Sequence, residues 1–387
     1  MRFEFSKRLE NLPPYLFAEI DKAKRYARQE GRDLIDLGVG DPDLPTPGHI
    51  IEKLSEAAKD PRNHRYALDQ GIPELRRAIA GWYKRRFNVA LDPETEILPL
   101  IGSKEGIAHM PLAFVNPGDY VLAPDPGYPP YRGSAILSDG QSFSMPLLVE
   151  NSFLPDFKEI PLKIRKKAKL MFLNYPNNPT AAVANKEFYL KVIDFAFKYN
   201  TIIAHDAAYS ELSYAGYRPM SFLELEGAKN TGVEFHSLSK TYNMSGWRIG
   251  WVCGNAHILS GIARVKSNID SGIFSAIQIA GIAALTGPEE HIQKMRALYQ
   301  ERRDVLCAGL ESIGWKASIP QATFYAWVPL PTGSDSRSFA KLLLEKCDIV
   351  AAPGIGFGSS GEGYIRFALT VPKERIAEAV ERIKKSL

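Results

Sequence analysis

Short apolar runs recur between helical stretches through the middle of this chain, and this alternation most constrains its fold. The runs span residues 96–101, 120–123, 169–173, 201–204, 233–237 and 249–253. Each run is too short for a full helix, and strands that alternate with helices indicate a largely parallel sheet covered on both faces. The sequence therefore predicts an α/β protein, and the polar residues that follow the runs should meet beyond the carboxyl ends of the strands.

The pattern changes near residue 288. The elements predicted after it are a charged helix to residue 311, the apolar run FYAWVPL, a helix over 338–346 and apolar runs at 349–352 and 364–369. The first 45 residues do not fit the central alternation either. We therefore expect a large domain over 46–287 and a smaller, discontinuous α+β domain formed by 1–45 and 288–387.

Charge, cysteine content and apolar content limit the partners and the compartment. The 387 residues carry a net charge of only +4, which gives no basis for a nucleic-acid or membrane surface, so the expected partner is a small molecule. The three cysteines are too far apart for a zinc or CxxC pattern, and we expect reduced core thiols in a cytoplasmic protein. No signal-like segment, no run of about 18 apolar residues and no HExxH metal motif occurs.

The strongest candidate site is the segment 237–250, SLSKTYNMSGWRIG, which begins at the end of a predicted strand. A lysine flanked by hydroxyls, with an arginine eight residues later, suits a cofactor that carries an aldehyde and a phosphate. The Lys240 amine forms a Schiff base, the hydroxyls donate to phosphate oxygens, and Arg248 neutralises the phosphate. The pattern predicts pyridoxal phosphate; the alternative is a solvated loop lysine.

Three further residues lie just beyond predicted strands and suit the same cofactor. Asp206 ends the run TIIAHD, and a carboxylate beside the ring nitrogen would keep that nitrogen protonated; the alternative is a capping or turn aspartate. Tyr209 suits a donor to the phenolic oxygen of the ring, or else a core tyrosine. Asn178, in the proline-rigidified loop NYPNNPT, suits a second donor, or else a plain turn.

The remaining candidates are weaker alone. Backbone N–H groups at 102–106, where a strand gives way to a helix, can bind phosphate. Tyr128 either stacks on the ring or packs in the core. Arg366, on the opposite face of its strand from its neighbours, either faces water or binds a substrate carboxylate. The segment 356–361 matches GxGxxG but precedes a strand, so we interpret it as a flexible loop and not as a dinucleotide site.

The motifs HSLSKTYNMSGWRIG, NYPNNPT and RFALT, with the pair Asp206 and Tyr209, resemble the fold type I pyridoxal-phosphate aminotransferases over essentially the whole chain. LPPYLFAEID, DLGVGDPD and the segment 100–131 are most similar to the LL-diaminopimelate aminotransferases of lysine biosynthesis. The resemblance implies an aspartate-aminotransferase-like fold with a mostly parallel seven-stranded sheet. It also implies transfer of an amino group to 2-oxoglutarate through a pyridoxal phosphate Schiff base.

The resemblance assigns a role to each matching position. Lys240 matches the Schiff-base lysine, Asp206 the partner of the ring nitrogen, Tyr209 and Asn178 the phenolic-oxygen donors, and Tyr128 the stacking ring. The phosphate site matches Ser103, Lys104, Ser237, Ser239 and Arg248. The substrate cleft matches Tyr15, Gly40, Lys104, Tyr128 and Asn178, with Arg366 as the carboxylate clamp. Tyr66 matches a tyrosine that reaches the phosphate of the neighbouring subunit, which implies a homodimer.

Two departures from the diaminopimelate group leave the distal end of the substrate pocket without an assignment. Ala207 stands where we expect asparagine, and the stretch YALDQG is not the commonest version in that group. The alternative functions are a broad aspartate or alanine aminotransferase, a carbon–sulfur lyase that uses the same imine, and a noncatalytic ligand sensor. Such a sensor would usually carry a DNA-binding module, for which this chain has neither a basic helical extension nor spare length.

Overall fold

The computed structural model describes residues 3–13, 16–331 and 333–386, and its centre is a seven-stranded sheet. In spatial order the strands are Ile97–Leu100, Gly250–Gly254, Gly232–Ser237, Ile202–Asp206, Ala168–Asn174, Tyr120–Asp125 and Gln141–Pro146. Only Gly250–Gly254 runs antiparallel to its neighbours. The predicted α/β class with a mostly parallel seven-stranded sheet is confirmed, and all six apolar runs are strands of this sheet.

Both faces of the sheet are covered by helices. These are Gly48–Ala58, Pro73–Phe87, Ser103–Phe114, Pro130–Leu137, Leu162–Arg165, Lys186–Tyr199, Ala228–Thr231, Leu238–Thr241, Ala256–Ile269 and Ser275–Thr286. Along the strand Ala168–Asn174, Met171 and Leu173 belong to the apolar core on one face, whereas Leu170 and Phe172 belong to the core on the other. A strand buried on both faces has to be apolar throughout, which is why its sequence shows a continuous run and no alternation.

A smaller layer packs beside this sheet. Its three-stranded antiparallel sheet has the order Ala352–Pro353, Tyr364–Ala368, Tyr325–Pro329. Its helices are Leu16–Gln29, Glu290–Ser312, Ser336–Cys347 and Lys373–Ser386, whereas the short helix Lys7–Glu10 lies against Pro130–Leu137 beside the large sheet. Ile35–Asp36 pairs in parallel with Ile349–Val350, so the early and late parts of the chain meet. The division of the chain at residues 45 and 287 stays a prediction.

The segment 356–361 is not the flexible loop that the sequence predicted. It forms parts of two short 3₁₀ turns, Gly354–Phe357 and Ser359–Gly361. The backbone N–H of Ser360 and the hydroxyl of Ser359 donate to the Asp125 carboxylate, at 2.9 and 3.1 Å. These bonds fix the segment against the carboxyl end of a central strand, so it forms one wall near the site described below.

The three cysteines are buried free thiols, as the sequence predicted. Among the helices that the structure describes, none is both long and apolar enough to cross a membrane.

Candidate active site

The carboxyl ends of the parallel strands surround a cavity of about 360 Å³. The predicted site residues that line it are Gly40, Ser103, Lys104, Tyr128, Asn178, Asp206, Tyr209, Ser237, Ser239, Lys240, Arg248 and Arg366. They come from segments that are far apart in sequence. Most lie at or after strands of the large sheet that end at the same edge, whereas Gly40 lies on a loop before that sheet and Arg366 on a strand of the small sheet.

Among the predicted residues that the structure describes, one does not line this cavity. Tyr66 does not line it, and its side chain is 95% exposed. Tyr15 lies outside the residues that the structure describes. Tyr128 does line the cavity and packs edge-on against Tyr131, with ring centroids 5.6 Å apart. The roles of all three tyrosines stay predictions.

Lys240 lies on the short helical turn Leu238–Thr241, directly after a central strand. The Ser237 hydroxyl begins this turn by accepting a hydrogen bond from the Ser239 backbone N–H at 3.1 Å. The turn directs the lysine into the cavity, where Nζ donates to the Gly40 carbonyl at 2.9 Å. The amine is therefore held at a defined point by the backbone of a loop that precedes the large sheet.

Burial lowers the pKa of the Lys240 ammonium to about 8. The charge of Asp41 raises this pKa, whereas the charges of Arg366 and Arg248 lower it further. A lowered pKa leaves a larger fraction of the amine neutral near pH 7, and the neutral amine is the form that attacks a carbonyl carbon and accepts a proton.

Asp206 ends the strand Ile202–Asp206 and is buried. The Tyr131 hydroxyl donates to its Oδ2 at 2.7 Å, and the Ala208 backbone N–H donates to Oδ1 at 3.3 Å. Burial raises the pKa of this carboxyl, and these two hydrogen bonds oppose the rise only in part. A cation placed beside such a buried carboxylate strongly stabilises its charged form.

Sequence analysis did not find the contribution of Tyr131. The motif DPGYPPY contains two tyrosines, and we had assigned a role only to Tyr128. Tyr131 stacks on Phe172 with ring centroids 4.9 Å apart, which aims its hydroxyl at the end of the neighbouring strand. The position of Tyr131 at the start of a helix gave no signal of this contact.

The loop NYPNNPT is held by its own asparagines. Asn174 donates through Nδ2 to the Asp206 carbonyl and accepts through Oδ1 from the Asn178 backbone N–H, both at 2.7 Å. Asn177 Oδ1 accepts from the Thr180 backbone N–H at 2.9 Å. The loop is thereby fixed to the strand of Asp206, and it holds Asn178 at the cavity wall.

Arg366 is 3% exposed, so it does not face water. Its guanidinium donates to Asn178 Oδ1 at 2.8 Å and to the Gly38 carbonyl at 2.7 Å. The same group lies 4.2 Å from the Tyr325 ring centroid and 4.7 Å from that of Phe357. A planar cation held by two hydrogen bonds and two ring contacts has a fixed orientation, which suits a carboxylate ligand.

One end of the cavity suits a phosphate. Gly102, with φ of 77°, precedes the helix Ser103–Phe114, and a Cβ on it would lie 2.4 Å from Arg248 Nη2. Arg248 is fixed by donating to the Ser245 carbonyl at 2.8 Å. The serines that line this cavity are Ser103, Ser237, Ser239 and Ser245. A helix N-terminus beside a guanidinium and hydroxyls is the donor set that a phosphate dianion requires.

Residues 32–383 match the family model described as aminotransferase class I and II. The chain belongs to this family. The predicted transaminase activity and its pyridoxal phosphate cofactor are confirmed with it. The residues of the cavity fit that cofactor, since an amine of lowered pKa, a buried carboxylate and a phosphate cradle lie around one space.

Two similar proteins match this aminotransferase over essentially its full length. The LL-diaminopimelate aminotransferase of Syntrophobacter fumaroxidans is 56% identical over 385 residues, which cover 100% of this chain and 99% of the relative. The enzyme of the same name from Moorella thermoacetica is 54% identical over 382 residues, with 99% and 98% coverage.

Solved structures agree in fold. Apo-BacF from Bacillus subtilis has a TM-score of 0.97 at 39% identity, and the match covers 100% of this chain and 99% of that one. A single mutant of the Thermus thermophilus aspartate aminotransferase has a TM-score of 0.93 at 29% identity over 100% of both chains. The predicted aspartate-aminotransferase-like architecture is confirmed.

Proposed function

We propose that this aminotransferase transfers the amino group of LL-diaminopimelate to 2-oxoglutarate in lysine biosynthesis. The observation that carries this proposal is the identity of 56% over essentially the full length of both chains with an LL-diaminopimelate aminotransferase. An aspartate or alanine donor is the alternative within the same family, and the experiment below separates them.

Bound pyridoxal phosphate supplies an electrophilic carbon and a cationic ring that withdraws electrons from the substrate α-carbon. The residues proposed to hold its phosphate are Ser103, Lys104, Ser237, Ser239 and Arg248. Those proposed at its ring are Tyr128, Asn178, Asp206, Tyr209 and Lys240.

Lys240 and Asp206 carry the proton chemistry in this proposal. Lys240 Nζ, with its pKa lowered to about 8, would supply the amine that holds the cofactor and would act as the acid–base group for the substrate α-proton. Asp206 would hold the cationic ring of the cofactor, and the opposite charge at close range would favour the ionised form of its carboxyl. The Tyr131 hydroxyl, 2.7 Å from Oδ2, orients that carboxylate.

Arg366 binds the α-carboxylate that amino-acid and oxo-acid substrates share. Asn178 and the Gly38 carbonyl fix its guanidinium at 2.8 and 2.7 Å, and the rings of Tyr325 and Phe357 lie against it. One clamp for both substrates explains how a single site runs both halves of a transamination. Gly40, Lys104 and Tyr15 are proposed to line the rest of the substrate cleft.

We further propose a homodimer in the cytoplasm, in which Tyr66 reaches the phosphate of the neighbouring active site. Its support is the placement of Tyr66, 95% exposed beside Leu68, which is 66% exposed. Large apolar side chains that are exposed together favour a protein interface. The substrate cleft would then lie between the proposed domains, 46–287 and 1–45 with 288–387.

The proposal is tested by incubating purified protein, loaded with pyridoxal phosphate, with 2-oxoglutarate and a panel of amines, and by measuring glutamate. The panel contains LL-diaminopimelate, its meso isomer, aspartate and alanine, with Lys240→Ala as the inactive control. We expect the highest kcat/KM with LL-diaminopimelate. A preference for aspartate or alanine would contradict the substrate assignment, and a spectral change on amine addition without product would contradict the catalytic function.

A further inference from the structure

Two parts of the proposed site, the tyrosine at the cofactor and the arginine at the substrate carboxylate, touch one side chain that has no assigned role. This is Tyr325, which begins the strand Tyr325–Pro329 and is 2% exposed. We propose that Tyr325 is a positioning residue that holds Tyr209 with its hydroxyl and Arg366 with its ring. The inference rests on the proposed function, because it requires cofactor and carboxylate to bind in this cavity.

The hydroxyl contact is direct. Tyr325 Oη lies 3.0 Å from Tyr209 Oη, and the two rings meet edge to face with centroids 5.5 Å apart. Burial is the largest cause that raises the pKa of both tyrosines, so both hydroxyls keep their protons near pH 7. A hydroxyl can donate one hydrogen bond while it accepts another. When Tyr325 donates to Tyr209, the Tyr209 proton is left for the phenolic oxygen of the cofactor.

The ring contact follows from the register of the small sheet. Arg366 lies opposite Trp327, and Tyr325 is two residues before Trp327, so Arg366 and Tyr325 are diagonal neighbours on one face. The guanidinium carbon lies 4.2 Å from the Tyr325 ring centroid, within the range of a cation–π contact. The Tyr325 ring therefore fixes the height of the guanidinium above the sheet.

A third contact confines Tyr325 itself. A Cβ on Gly40 would lie 2.0 Å from the Tyr325 hydroxyl, so the chain at Gly40 passes directly over it. The Gly40 carbonyl also accepts the hydrogen bond from Lys240. Tyr325 is thus enclosed by Tyr209, Arg366 and the loop that holds the lysine, and its hydroxyl and its ring serve different partners.

The two contacts predict two separable effects. Tyr325→Phe keeps the ring and removes the hydroxyl, so Tyr209 donates less strongly to the phenolic oxygen. A less stabilised phenolic oxygen holds the neighbouring imine proton more tightly, and the pH midpoint of the holoenzyme's visible absorption band should rise by about half a unit. The KM values for both substrates should change little.

Tyr325→Leu removes the ring as well. Because the guanidinium loses its cation–π partner, KM for the amino acid and for 2-oxoglutarate should both rise about tenfold, in addition to the shift of the absorption midpoint. Phe357→Leu is the matched control, since Phe357 lies against the same guanidinium at 4.7 Å. This control should raise KM and leave the absorption midpoint unchanged.

The test consists of pH titrations of the visible spectrum and steady-state kinetics on the three variants and the unaltered holoenzyme. Melting temperatures of the apoproteins report whether each variant folds. An unshifted midpoint in Tyr325→Phe, beside a normal band in the unaltered enzyme, would overturn this inference alone. Equal KM increases in Tyr325→Phe and Tyr325→Leu would also overturn it. Absence of the band from the unaltered protein would overturn the proposed function as well.

Discussion

Two buried carboxylates on neighbouring strands, Asp206 and Glu234, differ in how completely their oxygens are satisfied. Glu234 is fully buried and has five hydrogen-bonding partners. They are the Tyr83 and Ser221 hydroxyls, the Phe222 backbone N–H and the imidazoles of His205 and His236, all at 2.7–3.0 Å. Burial pushes the pKa of Glu234 up, but hydrogen bonds and charge from His205 and His236 outweigh burial and hold that pKa far below its usual range.

Asp206 has two donors among the described residues, and burial raises the pKa of its carboxyl. His205 is paired with Glu234 across the strands and Asp206 follows His205, so the two carboxylates lie on opposite faces of the sheet. The carboxylate oxygens of Glu234 are satisfied by groups of the protein itself, and these hydrogen bonds connect neighbouring strands. Asp206 borders the cavity, where a bound cation would further stabilise its charged form. In this sheet, the buried carboxylate with fewer hydrogen-bonding partners is therefore the one on the functional face.

The largest effect is expected for Asp206→Asn. Loss of the charge opposite the ring cation should cost about 3–5 kcal/mol, which is a fall in kcat of at least roughly a hundredfold, measured as glutamate formed. A near-normal kcat would refute the electron-withdrawing role of Asp206.

Asp206→Asn should also differ from a Glu234 variant in its effect on stability. Because the folded pKa of Asp206 is raised, its contribution to the stability of the apoprotein is full below the unfolded pKa and is lost as pH rises through the folded pKa. Asparagine does not ionise, so the Asp206→Asn apoprotein is not destabilised as the pH rises. Its melting temperature at pH 7 should therefore equal or exceed that of the unaltered apoprotein. A clearly lower melting temperature would mean that Asp206 is a structural residue like Glu234.

Glu234→Gln should act on stability. Its amide N–H₂ group would face donors that now meet a carboxylate oxygen, at a cost of about 3 kcal/mol in the free energy of unfolding at pH 7. Since the folded pKa of Glu234 is lowered, its contribution is present above the unfolded pKa and is lost as the pH falls. The difference in melting temperature from the unaltered protein should therefore shrink in acid. A variant that melts normally but does not turn over would break the comparison.

The smallest effect is expected for Tyr131→Phe, which removes the shorter hydrogen bond to Asp206. Loss of this bond should cost about 1 kcal/mol of transition-state stabilisation, which corresponds to a roughly fivefold fall in kcat. The pKa of Asp206 should also rise further, so the acidic limb of the pH profile of kcat/KM should move to higher pH. Tyr83→Phe is the matched control, because it removes a hydroxyl from Glu234 in the same way. It should lower the melting temperature and leave kcat unchanged. Equal effects of the two variants on kcat would contradict the distinction.

The sequence predicted the central strands because they are buried on both faces and therefore apolar throughout. It missed the edge strand Gln141–Pro146, in which only Met145 is buried. A half-exposed strand at the edge of a sheet carries polar residues and shows no apolar run. The run 349–352 was predicted as one element but divides into Ile349–Val350 and Ala352–Pro353, which belong to different sheets.

The sequence also predicted where the cavity lies, because polar residues that follow parallel strands converge at one edge of the sheet. It gave no sign of Tyr131, Tyr325 or the partners of Glu234, because those contacts join residues 75, 116 and up to 151 positions apart. Glu234 reads locally as one polar residue in a strand. Its hydrogen-bonding partners, which decide whether it is structural or functional, exist only once the strands are paired.

The central claim, that Lys240 is the amine joined to the cofactor, is tested by borohydride reduction of the holoenzyme, digestion and mass measurement of the peptides. The matched protein is Lys240→Ala, which lacks the amine. We expect the mass of a reduced pyridoxyl-phosphate group on the Lys240 peptide and no labelled peptide in Lys240→Ala. A label on another lysine in the unaltered enzyme, or its persistence in Lys240→Ala, would contradict it.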